Sequence, residues 1–295
     1  MSASASTDGV AAKRVRSAQE TRRVVTSALG WVACGVALLL VIGPLVDIVG
    51  VVAINGLSAF SVKLFTTTGT GISGGLLNAI EGTFIITLGA MIFAVPIGVG
   101  AGIYLSEYGN NRLGATIRFM SDTLTGTPSV VLGYFSYIVF VILLGWKFSV
   151  LAAAITIAIL IVPYLARITE LALRQVPTAM REAAFALGAQ DPTVVFKVVL
   201  PGAMSGVVTG ALLALAISVG ETAPLIYTAG WSASLWHGQL THESIGYLTY
   251  VIWTAFEQPT SEAHALAFAA AFLVMMVVLV INIGVRLTVR RTKFV

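Results

Sequence analysis

The sequence predicts an all-α polytopic membrane protein with six transmembrane helices. Three observations carry that expectation. The chain of 295 residues is 57% hydrophobic and only 10% charged, against roughly a quarter charged in soluble domains. Six apolar runs each exceed the roughly 20 residues a helix needs to cross the hydrocarbon layer. The basic residues are also segregated: threading the runs through a bilayer puts fifteen of the 17 Lys and Arg on one side and leaves Lys63 and Lys147 on the other. Such a bias marks the cytoplasmic face, so both termini are expected inside and the 227–264 loop outside. The net charge of +4 then follows from topology and does not call for a nucleic-acid partner.

In chain order, 1–27 reads as a basic cytoplasmic tail with Lys13, Arg14, Arg16, Arg22 and Arg23. The first span, 28–54, is too long for a signal-peptide core and is read as a retained helix, kinked at Gly43-Pro44. Cys34, the single cysteine, lies inside it, has no disulfide partner in the chain and is expected as a small buried hydrophobe. The second span, 79–105, carries Glu81 at its outer mouth and Pro96 as an interruption. The third, 117–144, is broken by Gly126 and Pro128 and closes on Gly145-Trp146-Lys147 at an interface. The fourth covers 149–171 with Pro163 inside, the fifth 202–226 and the sixth 265–287. Within the 227–264 loop, 245–256 is apolar but too short to span, so an interfacial or re-entrant helix is expected there. The organisation is thus a 28–288 membrane domain between the 1–27 tail and a 289–295 cytoplasmic tail.

One segment, 177–201, is neither apolar enough nor long enough to span. Pro177-Thr178 can open a helix, and 181–187 is rich in helix formers. Gly188 can end that helix in the left-handed conformation, and Asp191-Pro192 reads as an N-cap and first-turn proline. Two short helices with a small-residue face, outside the bilayer, are expected. The spacing is Glu182-Ala183-Ala184, three residues, Gly188, nine residues, Val198, one residue, then Leu200-Pro201. It resembles the cytoplasmic coupling loop of ABC importer permeases.

A transport path must come from polar groups among the spans, since such groups are costly there and kept for function. Candidates are Thr127, Ser129, Arg167, Glu221 and Thr222, with Asp122, Thr123, Thr125, Glu170 and Ser218 beside them. Thr127 and Ser129 flank Pro128 and suit substrate contact or local backbone satisfaction equally. Arg167 reads as a transient anion contact or as an ion-pair partner of Asp122, Glu170 or Glu182. Glu221, beside Pro224, would repel an anion, so a structural or gating part is expected of it, by an ion pair with a partner subunit. No phosphate-binding glycine loop, HExxH, GxSxG or CxxC is present, so no catalytic or metal site is expected.

Longer segments narrow the resemblance. GGLLNAIEGTFIITL at 74–88, AVPIGVGAGIYLSEYG at 94–109, TGTPSVVLGYF at 125–135 and SVGETAPLIYTAG at 218–230 are similar to PstA-type permeases of bacterial phosphate importers. The likeness covers about 30–290, and the GETAPL run at 220–225 is its most telling part. It implies the MetI-like fold of type I ABC importers in the bacterial plasma (inner) membrane. The implied partners are a PstC-like permease, a PstB-like ATPase dimer that holds ATP and Mg2+, and a PstS-like binding protein. The implied cargo is inorganic phosphate, with no hydrolysis and no cofactor on this chain. Glu182, Ala183, Ala184, Gly188, Leu200 and Pro201 would then couple to the ATPase. Competing expectations are a permease for another oxyanion or solute, a stand-alone secondary transporter, and a membrane scaffold.

Overall fold

The computed structural model describes residues 18–291, with side chains from 22 to 287. Of the two expected tails, residues 1–17 and 292–295, with Lys13, Arg14, Arg16 and Lys293, lie outside the described residues. The chain forms two compact units, one up to Val51 and one from Val52 onward.

Helix α1 runs Ala18–Ser58, starting inside the expected tail and passing Pro44 without a break. Cys34 is exposed on it, contrary to expectation. The reason is the solvent: lipid is as apolar as the side chains of this helix, so nothing drives them into protein.

The second unit opens with the short α2, Lys63–Thr66, and then α3, Leu77–Glu107, which continues through Pro96. Helix α4, Arg112–Thr125, is capped by Asn111, whose side chain accepts from Gly114 N at 2.8 Å. Helix α5, Ser129–Ser136, passes into a π-helical stretch, Tyr137–Leu143. Helix α6, Val150–Arg174, is capped by Ser149 and contains Pro163. Then come α7, Thr178–Ala186, and α8, Asp191–Val194. A π-helical turn, Val195–Val199, joins α8 to α9, Leu200–Gly220. Helices α10, Ala223–Thr228, α11, Leu248–Phe256, and α12, Ser261–Arg291, complete the unit.

Among the described residues, five helices are long and apolar enough to cross a membrane, and six if the pair formed by α4 and the 129–143 helix is one span. That pair is the third run, broken at Gly126 and Pro128 as expected, and the break is sharper than a kink, since its halves meet at 101°. Pro128 has no N–H to extend α4, and it biases Thr127 toward extended backbone. The fifth span differs from 202–226: it runs unbroken from Asp191 to Gly220. Asp191 is therefore the first residue of a long helix and not the cap of a separate short one. Pro201 cannot donate to the Lys197 carbonyl, and the turn before it widens into π geometry instead of breaking.

Helices α3 and α6 pack most closely. Gly98 and Gly102 make this possible: a Cβ at Gly98 would stand 2.6 Å from Leu165 Cβ, and one at Gly102 would meet Thr169. Their shared core holds Ile86, Ala90, Ile157, Ile161 and Leu165. A second core joins the start of α3 to α11 and α12, and a third joins the end of α6 to α8 and the start of α9.

Candidate functional site

The bend after α4 brings the TGTPS turn against the Pro163 region of α6 and the end of α9. A cavity of about 220 Å³ lies between them, with Thr125, Thr127, Ser129, Tyr164, Ile217 and Glu221 on its walls. A second, of about 340 Å³, is lined by Asp122, Thr125, Gly126, Tyr164, Arg167 and Ile168. Thr125 and Tyr164 line both, so the two cavities adjoin along a groove.

At one end stands Glu221. Helix α9 stops at Gly220, and Glu221 is extended, its backbone carbonyl accepting from Thr249 Oγ1 at 2.8 Å. Gly133 of α5 packs directly on Pro224 of α10, which holds the start of α5 beside this turn. The Ser129 hydroxyl is set beside the Glu221 carboxylate on the wall of the first cavity. Thr222 faces elsewhere, into a different cavity with Gly220, Trp253 and Phe256.

At the other end is a charge cluster. Glu170, with a side chain 2% exposed, meets Arg118 Nε at 2.8 Å, Arg167 Nη1 at 2.8 Å and Arg174 Nη2 at 2.9 Å. Arg167 also reaches Asp122 at 3.1 Å. Three guanidiniums against two carboxylates leave the cluster one positive charge in excess. Arg118 additionally donates to the carbonyls of Gly109 at 3.0 Å and Leu105 at 2.7 Å, closing the end of α3. Of the pairings open to Arg167, the fold selects Asp122 and Glu170.

The hydroxyl protons of Thr125 and Thr127 are engaged by Ser121 and Thr123 carbonyls at 2.8 and 2.9 Å. Both threonines therefore satisfy local backbone groups and offer the groove lone pairs and no proton. Donors able to meet an anion there are Arg167 and Tyr164, three residues apart on one face of α6.

In the 177–201 segment, Gly188 has φ +81°, the left-handed conformation expected of it. Gly188 N donates to Phe185 O at 2.9 Å and Ala189 N to Ala184 O at 3.1 Å, the paired bonds of a Schellman end. Glu182, Ala183 and Gly188 are exposed. Ala184 and Leu200 turn inward against the third core, while Pro201 is exposed within the first turn of α9. Glu182 has no ion pair among the described residues, and Arg181 turns away to Glu107 at 2.9 Å.

Residues 94–294 match the model of the binding-protein-dependent transport system inner membrane component family. The chain is 43% identical over 265 residues to the phosphate transport system permease protein PstA 2 of Mycobacterium tuberculosis, covering 89% of this chain and 88% of that protein. It is 39% identical over 243 residues to the phosphate transport system permease protein PstA of Haemophilus influenzae, covering 81% and 85%. The chain belongs to this permease family, in its PstA-type branch.

As a PstA-type permease it is the membrane subunit of an ABC importer, whose ATP hydrolysis belongs to a separate chain. Family membership implies an ATPase and a binding protein as partners. Among solved structures, the inward-facing methionine transporter MetNI aligns with TM-score 0.62 at 22% identity, over 74% of this chain and 96% of that one. That likeness is one of fold alone, a MetI-like fold.

Sequence reasoning missed two features of the permease. Tyr164 lies within an apolar stretch of α6, and its place in the groove is legible only as the i−3 neighbour of Arg167. The exposed surface around 177–201 is also more apolar than the small-residue face expected: Met180, Phe185, Leu187 and Phe196 are all exposed, Leu187 at 89%. Part of the signal was present, since Met180, Phe185 and Leu187 are large apolar side chains in an otherwise polar interhelical stretch.

Proposed function

We propose that this permease carries inorganic phosphate inward through the groove between Glu221 and the Arg167–Glu170 cluster. The reading rests on 43% identity to a protein named as a phosphate transport permease. The groove supports it, because the donors it presents, Arg167 and Tyr164, suit an oxyanion. In this reading the bent pair is one span, giving six across a bacterial plasma membrane. The 1–27 and 289–295 tails lie in the cytoplasm, and the 227–264 loop lies outside. A PstC-like subunit closes the open side of the groove, and a PstS-like protein delivers phosphate to the outer loop.

A PstB-like ATPase dimer, holding ATP and Mg2+, docks on 177–201. Glu182, Ala183 and Gly188 meet it directly. Ala184, Leu200 and Pro201 set the angle of α7 against the start of α9. Transport then follows from two packings of the helices, biased by nucleotide through this contact.

The test is reconstitution of the four components in vesicles, assaying ATP hydrolysis and labelled phosphate uptake together. ATP-dependent phosphate uptake is expected. Uptake of sulfate or molybdate in place of phosphate would reassign the cargo. Gly188→Val puts a β-branched residue at positive φ. It and Ala183→Trp are expected to leave the subunit paired with its permease partner but to lose the ATPase or its coupling. Full uptake in both would remove the coupling role from this segment.

A further inference from the structure

Helix α7 is short and its exposed face carries the residues assigned above to docking. It needs a rigid attachment if a push on it is to move anything. Ala184 and Ala189 rest on the third core, but small apolar contacts slide easily. One polar attachment stands out. Arg181, immediately before Glu182, donates from Nη1 to Glu107 Oε2 at 2.9 Å and from Nη2 to the Leu173 carbonyl at 2.9 Å. Glu107 is the last residue of α3, and Leu173 lies in the last turn of α6. Both side chains are largely covered, at 22% for Arg181 and 10% for Glu107. Ser106 Oγ donates to the other Glu107 oxygen at 2.7 Å and holds that carboxylate in place. A planar guanidinium bonded in two directions resists rotation as well as separation.

The same end of α3 is gripped a second time. Arg118 donates to Leu105 O, two residues before Glu107, and its Nε reaches Glu170. Glu170 in turn holds Arg167 at the groove. Two sets of charge-assisted bonds, joined by the last turn of α3, therefore lead from α7 to the groove.

We propose that Arg181 is the positioning residue that transmits displacement of α7 to the ends of α3 and α6, and through Arg118 to the Glu170 cluster. This rests on the reading of 177–201 as the ATPase contact. Arg181 itself is turned inward, so its part is mechanical linkage and not docking.

The experiment uses the assembled four-component importer in vesicles and reads phosphate transported per ATP hydrolysed. Arg181→Met keeps the length of the stem and removes the guanidinium. The ATPase should co-purify as in the parent and hydrolysis should continue, while the transport ratio falls roughly tenfold, within the usual range of coupling between sites. Glu107→Gln should share that loss. The double variant should be no worse than the more severe single, because both break one link. Arg181→Lys, which reaches one acceptor at a time, should restore part of the ratio.

A parental ratio in Arg181→Met, additive losses in the double variant, or loss of the ATPase from Arg181→Met would each overturn the proposal. If Arg181→Met does not assemble, Arg181→Lys carries the test: its ratio falls below the parent's, and a parental ratio overturns the link. Ala183→Trp reports separately on docking. Full uptake there sinks the docking reading, whereas an uncoupled Ala183→Trp beside a normal Arg181→Met sinks only the link.

Discussion

Glu221 lines one end of the groove, Glu170 lies behind Arg167 at the other, and the two are held in opposite ways. Glu170 is enclosed by three guanidiniums, and among its partners is Arg118, 52 residues away in sequence. Glu221 faces one hydroxyl across its cavity, that of Ser129, and no cation among the described residues. A carboxylate kept from water needs a full shell of donors, and losing either side of such a shell strands charge. An acid set beside a single neutral hydroxyl is cheap to release. The first arrangement suits a fixed joint between helices α3, α4 and α6. The second suits an element that changes partner.

The sharpest test of this difference is Glu170→Leu. It leaves Arg118 and Arg174 without their counter-ion and Arg167 with Asp122 alone. A loss of roughly 3 kcal/mol is expected, as for breaking a buried pair, seen as a lower melting temperature in detergent and reduced abundance in the membrane. Equal losses for Glu170→Gln and Glu221→Gln would erase the comparison.

Arg167→Gln comes next. Glu170 retains two guanidiniums, so the subunit should assemble normally. Phosphate uptake should still fall about tenfold, the worth of one charge-assisted hydrogen bond to the cargo. Uptake at the parental rate would move the anion contact away from α6.

At the other end, Glu221→Gln keeps the shape and acceptor oxygen beside Ser129 and should cost about 1 kcal/mol or less. Its effect should appear in the uptake rate and not in the melting temperature. Ser129→Ala is expected to be smaller still in stability and to alter uptake in the same direction. A large drop in melting temperature for either would make Glu221 a structural joint like Glu170.

The smallest effect concerns a third acid, held by backbone. Partial burial pushes the Glu243 carboxyl up, but bonds from His237 N, from the His237 ring and from Gln239 N outweigh it and hold the carboxyl below its ordinary range. A depressed folded value means the stabilisation is full above the unfolded value and is lost as pH falls through the folded one. Fluorescence of Trp236, in the same loop, should therefore hold steady from neutral pH down to about 5 and change only below about 4. Glu243→Gln should abolish that acid transition. A change centred near neutrality would assign the loop to histidine instead.

Much of this was legible in the sequence because its causes are local. Apolar length names a span wherever the chain goes, and the clustering of Lys and Arg orders the loops. Gly188 could be placed at positive φ because few other residues end a helix that way. The interruptions were less legible. Pro96 and Pro163 sit inside unbroken helices, whereas Pro128 turns the chain through 101°. A proline states only that one N–H is missing. Whether neighbouring helices support the freed carbonyl or let the chain bend is decided by packing.

The sequence by itself determined the membrane class, the number of apolar runs, the polar interhelical segment at 177–201 and the PstA-type family, since each is a property of composition or spacing along the chain. Only the tertiary structure decided which charges meet. Arg181 passes over its neighbour Glu182 for Glu107, 74 residues earlier, and Arg118 crosses to Glu170. Spacing lists the partners a guanidinium has within its own helix. Which carboxylate arrives from another helix depends on how close the backbones come, and here Gly98 and Gly102 let α3 lie against α6 so that their ends share one set of charges.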